Sequence, residues 1–199
     1  MKKEDFGFTL IELLIVVAII AILAAIAIPN FLAAQTRAKV SRVKSETRSV
    51  ATAMEAYYVD SNRYPPMGDY TWANTATEPA FHSRISAYLT TPVAYISSLP
   101  IDIFLVVPAG GFTYPYYNRY TYYNFFQYID SMGLSLQTRR QHAGDWLIYS
   151  WGPDRSGNWY APFIGEDGVY TNYDPSNGTV STGNIIRTQR NQEKYDTLN

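Results

Sequence analysis

The hydrophobic positions of this chain fall into two patterns that meet near Pro29. Leu13 to Ile28 is an unbroken apolar run, and no later stretch is apolar for more than a few residues. Counted from Phe8 to Ile28, the segment makes about 30 Å of helix at ~1.5 Å per residue, enough to cross a bilayer. Farther along, Val40, Val43, Thr47, Val50, Met54 and Tyr57 recur every three or four residues, with Arg42, Lys44, Glu46, Arg48 and Glu55 off that line. Such spacing predicts one helical face that must be covered. The economical arrangement is a single helix from about Phe8 to Asp60, roughly 80 Å long, whose second half lies on a globular head. A coiled coil is the alternative use of the same stripe. Asn62-Arg63-Tyr64-Pro65-Pro66 ends the helix, because tandem prolines cannot continue it and push the preceding residue into an extended shape.

Pro29 sits inside this helix, where it lacks an amide hydrogen and its ring crowds the carbonyl of Ala25, so a bend or local melting is expected there. A simple helix end at the membrane boundary is the competing expectation. Beyond residue 90, Thr91-Pro92 predicts a capped short helix ending near Ser98. β-branched and aromatic residues between Gly, Pro, Asn and Asp then mark strands at Tyr120 to Ile129, Trp146 to Trp151, Val169 to Tyr173 and Thr179 to Arg187. Asp174-Pro175-Ser176-Asn177-Gly178 reads as the turn joining the last two. The fold class is α+β: a long N-terminal α-helix, membrane-spanning in its first half, packed on a small antiparallel β-sheet head. The organisation is a short start over 1–7, the helix over 8–62 with its transmembrane half at 8–28, and the head over 63–199.

Composition narrows the function classes. Across 199 residues, 47% hydrophobic content is incompatible with wholesale disorder. The chain has no cysteine, which rules out disulfides, thiolate metal sites and a cysteine nucleophile. Its formal net charge is −1, and acidic residues narrowly outnumber basic ones beyond Asn62, so the head lacks the basic face of a nucleic-acid clamp.

The first residues do not read as a secretory signal, which would place small residues of a cleavage site after its apolar core. Here Met1-Lys2-Lys3-Glu4-Asp5-Phe6-Gly7 precedes the core, and the span reads as retained. Glu12 interrupts it. An ionised carboxylate costs roughly 2.5–3.5 kcal/mol near the centre of a membrane helix and less near an end, so it either snorkels to the headgroups or finds a partner.

Gly7-Phe8-Thr9-Leu10-Ile11-Glu12, followed by the apolar run, resembles the prepilin signature of type IV pilins and type II secretion pseudopilins. The resemblance implies that a membrane prepilin peptidase cuts between Gly7 and Phe8 and N-methylates Phe8. It also implies that Glu12 pairs with the N-terminal ammonium of a neighbouring subunit, and that the stretch at Pro29 can unwind when subunits pack. A buried carboxylate is tolerated when an opposite charge sits within a few ångströms. The charge asymmetry points the other way: Arg37, Lys39, Arg42, Lys44 and Arg48 follow the span, and only Lys2 and Lys3 precede it beside Glu4 and Asp5. The positive-inside rule alone predicts the reverse orientation. The signature, which requires Gly7 on the cytoplasmic side, overrules it.

Two head segments extend the likeness. Tyr58-Val59-Asp60-Ser61-Asn62-Arg63-Tyr64-Pro65 resembles the helix exit of the major pseudopilin, and Tyr95-Ile96-Ser97-Ser98-Leu99-Pro100-Ile101-Asp102 resembles its Leu-Pro-x-Asp segment. Asp154-Arg155-Ser156-Gly157-Asn158 alternates oxygen-bearing side chains in a glycine-containing loop, as a hard cation requires. The glutamate that would close an EF-hand is missing, yet Trp151-Gly152-Pro153-Asp154 resembles the calcium loop of pseudopilins. Asp154, Ser156, Asn158, Asp167 and Asp174 are therefore candidate calcium ligands, with Glu166 also near in sequence. An ordinary Asx-type turn is the alternative. Ten aromatic residues lie between Phe112 and Tyr128. They suit a sheet that covers the helix stripe with its hydroxyls facing water, or else an exposed adhesive, sugar-stacking surface.

His82 and His142 are isolated, and no phosphate loop or nucleophile elbow occurs, so no enzyme is expected. The expected function is that of a structural subunit of a type II secretion pseudopilus or a type IV pilus-like filament. Its expected partners are copies of itself, minor pilins or pseudopilins, prepilin peptidase, an inner-membrane assembly platform and the lipid bilayer, but not nucleic acid. It would begin as a single-pass inner-membrane protein with the head outside the cytoplasm, then enter a periplasmic or cell-surface filament. The alternative is a membrane-anchored binding or adhesion module that does not polymerise.

Overall fold

In the computed structural model, residues 8–67, 85, 87–105, 118–126, 140, 143–155, 173–174 and 183–190 are described. Helix α1, Leu10–Ser61, runs for 52 residues. Thr9 caps its start in an extended conformation, and its hydroxyl accepts from the Glu12 amide at 3.2 Å. Asn62 closes the other end in the left-handed region, φ 53°, donating its N–H to the Tyr58 carbonyl at 2.8 Å. Asparagine tolerates that conformation better than most residues, and the prolines that follow forbid another turn. The expected melting at Pro29 is absent from this single chain: α1 is continuous through it. One missing amide is a local defect, and the hydrogen bonds of the turns on either side carry the helix past it.

The stripe anticipated from spacing is the buried face. Val40, Val43, Thr47, Val50, Met54 and Tyr57 are all buried, joined by Ala51 and Ala53, so α1 docks on the head and the coiled-coil alternative is not needed to cover it. Upstream the helix is bare: Phe8, Leu10, Ile11, Leu13, Leu14 and the large apolar residues on to Leu32 are exposed. This helix is long and apolar enough to cross a membrane, and none of its most apolar stretch is buried within the chain.

Among the described residues the head carries a three-stranded antiparallel sheet in the order β1-β2-β3, with β1 at Thr121–Asn124, β2 at Trp146–Ser150 and β3 at Ile185–Thr188. Thr121 faces Tyr149 and Asn124 faces Trp146 across the first pair, and Leu147 faces Thr188 across the second. Every residue of β1 and β2 is buried. The alternation of a one-sided sheet is missing because both faces are covered, which suits strands that read as nearly continuous aromatic and aliphatic runs. Three of the four expected strands thus hold a described strand. The fourth contributes Tyr173, whose N–H donates to the Asn184 carbonyl at 2.9 Å just before β3; the rest of Val169 to Tyr173 lies outside the described residues, as does the turn at 175–178.

Two expectations are corrected. A short 3-10 helix occupies Ala87–Leu89, ahead of Thr91 rather than after it. Thr90 and Thr91 donate both amides and both hydroxyls to the Ala87 carbonyl, which closes the turn before Pro92 instead of opening a new helix. The tyrosine hydroxyls of β1 and the residue before it do not face water. Tyr122 donates to the Pro65 carbonyl at 2.9 Å, and Tyr120 donates to Glu46. With both sheet faces covered, each phenol needs an internal acceptor. Of the aromatic stretch, Tyr120, Tyr122, Tyr123 and Phe125 are core, Phe126 is exposed, and the remainder lies outside the described residues.

Candidate functional site

Glu12 and its surroundings are built by the helix start. The Glu12 Oε2 atom accepts from the Thr9 amide at 2.9 Å and from the Thr9 hydroxyl at 2.8 Å, while Thr9 returns a bond to the Glu12 amide. This reciprocal box answers amides that a helix start leaves without partners, and it places the carboxylate against the positive end of the helix. Both Thr9 donors converge on one oxygen, so Oε1 still offers acceptor positions. Phe8, adjacent to Thr9, is 77% exposed, and Gly7 lies outside the described residues. Phe8 and Glu12 therefore lie about one turn apart at one helix end, at the tip of an exposed apolar rod. Pro29 lies farther along that rod.

How the rod is aimed depends on the docking of the other half of α1, where three carboxylates each receive a donor from a head aromatic. Glu46 accepts from Tyr120 and, on its other oxygen, from Arg42 at 2.7 Å. Glu55 accepts from the Tyr64 hydroxyl at 2.9 Å and from Trp146 Nε1 at 3.0 Å. Asp60 accepts from the Tyr95 hydroxyl at 2.9 Å. Burial and the facing carboxylates push the Tyr120 and Tyr64 hydroxyls well above the ordinary tyrosine range, and burial alone does most of this for Tyr122. These clamps were not anticipated from sequence. The only available signal was that Glu46 and Glu55 border the apolar stripe, which does not say what they meet.

The loop after β2 is organised by Asp102, the last residue of the Leu-Pro-x-Asp segment. This buried carboxylate accepts from the Phe104 amide at 3.0 Å, from Ser150 Oγ at 2.7 Å and from the Trp151 amide at 3.2 Å. Gly152 then adopts φ 78°, and a Cβ built there would lie 2.1 Å from the Gly183 carbonyl oxygen, so the two backbones meet where only glycine fits. Asp154 Oδ2 accepts from the Gly183 amide at 3.3 Å. Since Tyr173 joins Asn184, both Asp154 and Asp174 are carried to the segment that leads into β3. Among the described residues no group of three or more His, Asp or Glu side chains is placed to hold a metal ion. Ser156, Asn158, Asp167 and the nearby Glu166 lie outside the described residues, as do His82 and His142.

Known proteins place this arrangement. Residues 2–28 match the family model described as the prokaryotic N-terminal methylation motif. The chain is 39% identical over 114 residues to the type IV major pilin of Myxococcus xanthus, covering 52% of each protein. It is 56% identical over 63 residues to a type IV major fimbrial protein of Dichelobacter nodosus, covering 32% of this chain and 39% of that one. The chain thus spans about half the length, or less, of these pilins. With the type II secretion system core protein G of Klebsiella michiganensis it shares 36% identity over 117 residues, 55% of this chain and 72% of that protein. No solved structure matches. The signature at the helix start, the α+β fold and a likeness that covers most of a relative lead to one conclusion: the chain belongs to the type IV pilin-like family, which holds the type IV major pilins and the type II secretion core protein G.

Proposed function

We propose that this chain is the precursor of a filament subunit: prepilin peptidase cuts it between Gly7 and Phe8 and methylates Phe8, the span at 8–28 holds it in the cytoplasmic membrane with the head outside, and subunits then stack with their apolar helices in a common core. The observation that carries this reading is the exposed apolar half of α1 with Glu12 set into it one turn from Phe8. An uncovered apolar rod is costly in water and has two favourable environments, a bilayer and a bundle of its own kind. Within a bundle, Oε1 of Glu12 is available to the ammonium of a neighbour's Phe8, and a misregistered subunit would leave a carboxylate unpaired in an apolar core. Unwinding at Pro29 belongs to the same proposal, as the adjustment that lets helices pack closely. The 72% of a type II secretion core protein G that the chain covers, against 52% of a type IV major pilin, and the Asp102 segment support a pseudopilus over a long surface fibre. Minor subunits and an inner-membrane assembly platform complete this scheme. Calcium is part of this proposal: Asp154 and Asp174 would supply oxygen ligands to it near the segment leading into β3, with Ser156, Asn158 and Asp167 as further candidate ligands.

A second reading, an anchored binding module, draws on one feature. Tyr57, Tyr58, Tyr64, Tyr88 and Phe126 line a groove with Arg63 at the exit of α1. Mass spectrometry of the mature chain, together with Glu12→Ala, separates the two. Filament formation predicts a methylated Phe8 start and loss of filaments from a variant that still inserts. An intact Met1 start beside an active peptidase, or unimpaired filaments from Glu12→Ala, would overturn the filament reading or the role of Glu12 respectively.

A further inference from the structure

The stretch of α1 just beyond the apolar rod carries Arg37, Lys39, Arg42, Lys44 and Arg48, and no Asp or Glu occurs between Glu12 and Glu46. Arg42 is committed to Glu46 at 2.7 Å. Among the described residues no ion pair engages Arg37, Lys39 or Lys44; Arg37 is exposed and the two lysines are half-buried. The last large apolar side chain of the bare rod is Leu32. At ~1.5 Å per residue, Arg37, Lys39 and Lys44 follow it by about 7, 10 and 18 Å along the axis. A headgroup layer is roughly 5–8 Å deep on each side of a bilayer, so Arg37 falls at its edge and Lys39 a few ångströms beyond it when Leu32 sits at the hydrocarbon boundary. Side chains on a helix lean toward its N-terminus, here toward the membrane, which lets the long stem of Lys39 reach back into the layer; Lys44 stands about 10 Å beyond it and attracts the phosphates from about one Debye length away. Successive residues turn by 100°, so Arg37 and Lys44, seven apart, share one flank of the head-facing stripe and Lys39 takes the other.

We infer that Arg37, Lys39 and Lys44 form a binding surface for acidic phospholipid headgroups of the outer leaflet, which holds the unassembled subunit at a set depth. The inference rests on the membrane-anchored orientation proposed above. It also gives a purpose to the charge asymmetry that opposes the positive-inside rule: the cations outside the span seek lipid phosphates on that side. Leaving the bilayer for a filament then means giving up anionic headgroups, so retention in the membrane rises with acidic lipid and falls with salt.

The test uses the full chain in phosphatidylcholine nanodiscs with and without phosphatidylglycerol, with native mass spectrometry counting the lipids that leave with the protein. Phosphatidylglycerol is expected to be retained roughly tenfold beyond its share of the bilayer, at about fivefold per well-placed cation less losses to mobility. Arg37→Gln with Lys39→Gln and Lys44→Gln should abolish the preference, while Arg37→Lys alone keeps most of it. Equal retention of the two lipids, or a preference that survives the triple substitution, overturns the lipid surface and leaves the filament reading intact. A chain that stays in neither bilayer removes the anchor, and both readings fall with it.

Discussion

Replacing Asp102 by alanine should loosen the head more than any surface change. The carboxylate is buried and accepts from the Phe104 amide, Ser150 Oγ and the Trp151 amide, so its removal strands donors at the end of β2 and in the loop beside it. A buried donor left without an acceptor costs about 1–3 kcal/mol, and Ser150, fully buried, has no water to turn to. Part of that loss is offset because the variant no longer desolvates a charge. The net expectation is about 3 kcal/mol, in keeping with the breaking of a buried charged network. For a chain of this size that lowers the melting temperature by about 6–12 °C. Asp102→Asn should fall between, since its Oδ1 still accepts from Phe104 and Ser150 while its amide nitrogen opposes the Trp151 N–H. The assay is near-ultraviolet circular dichroism of the full chain in detergent micelles, titrated with urea. That signal reports the aromatic head, whereas far-ultraviolet dichroism would be dominated by α1. An alanine variant within about 0.5 kcal/mol of the parent would refute the idea that this carboxylate organises the loop.

Three further outcomes are expected. Gly152→Ala, which pushes a Cβ against the Gly183 carbonyl at a positive φ, should lower the urea midpoint by the equivalent of about 2 kcal/mol or more, and an unchanged midpoint would show that the backbones can part easily. The folded state holds the Tyr120 and Tyr122 protons above the ordinary value of 10.0, so their contribution is complete below that pH and is lost as pH rises through the folded-state values. Urea unfolding at stepped alkaline pH should therefore lose up to about 1.4 kcal/mol per pH unit for each buried phenol above pH 10, and a flat profile would count against both. Melting with calcium and with chelator should differ if Asp154 and Asp174 belong to a calcium site of the folded state; equal melting temperatures at saturating calcium would remove the proposal.

The pattern of residues along the chain determined a great deal by itself. An unbroken apolar run has only one helical reading, and a stripe at three-to-four spacing names its own buried face, because helical periodicity is local and needs no knowledge of the partner. The helix end at Asn62 and the capping of α1 by Thr9 and Glu12 are equally local, since each rests on residues within one turn. Tertiary structure decided which partners meet. Glu55 receiving Trp146, Tyr120 turning inward to Glu46, and Asp102 reaching Ser150 and Trp151 all join residues far apart in the chain, and the spacing of polar residues carries no record of such meetings. It also placed the short helix ahead of Thr91, where Leu89 is buried in the core, whereas α1 stays whole at Pro29 through the helix's own hydrogen bonds on either side. The rod and its carboxylate were legible because their chemistry is written in adjacent residues. The head that aims them was not, because its contacts exist only once the chain has folded back on itself.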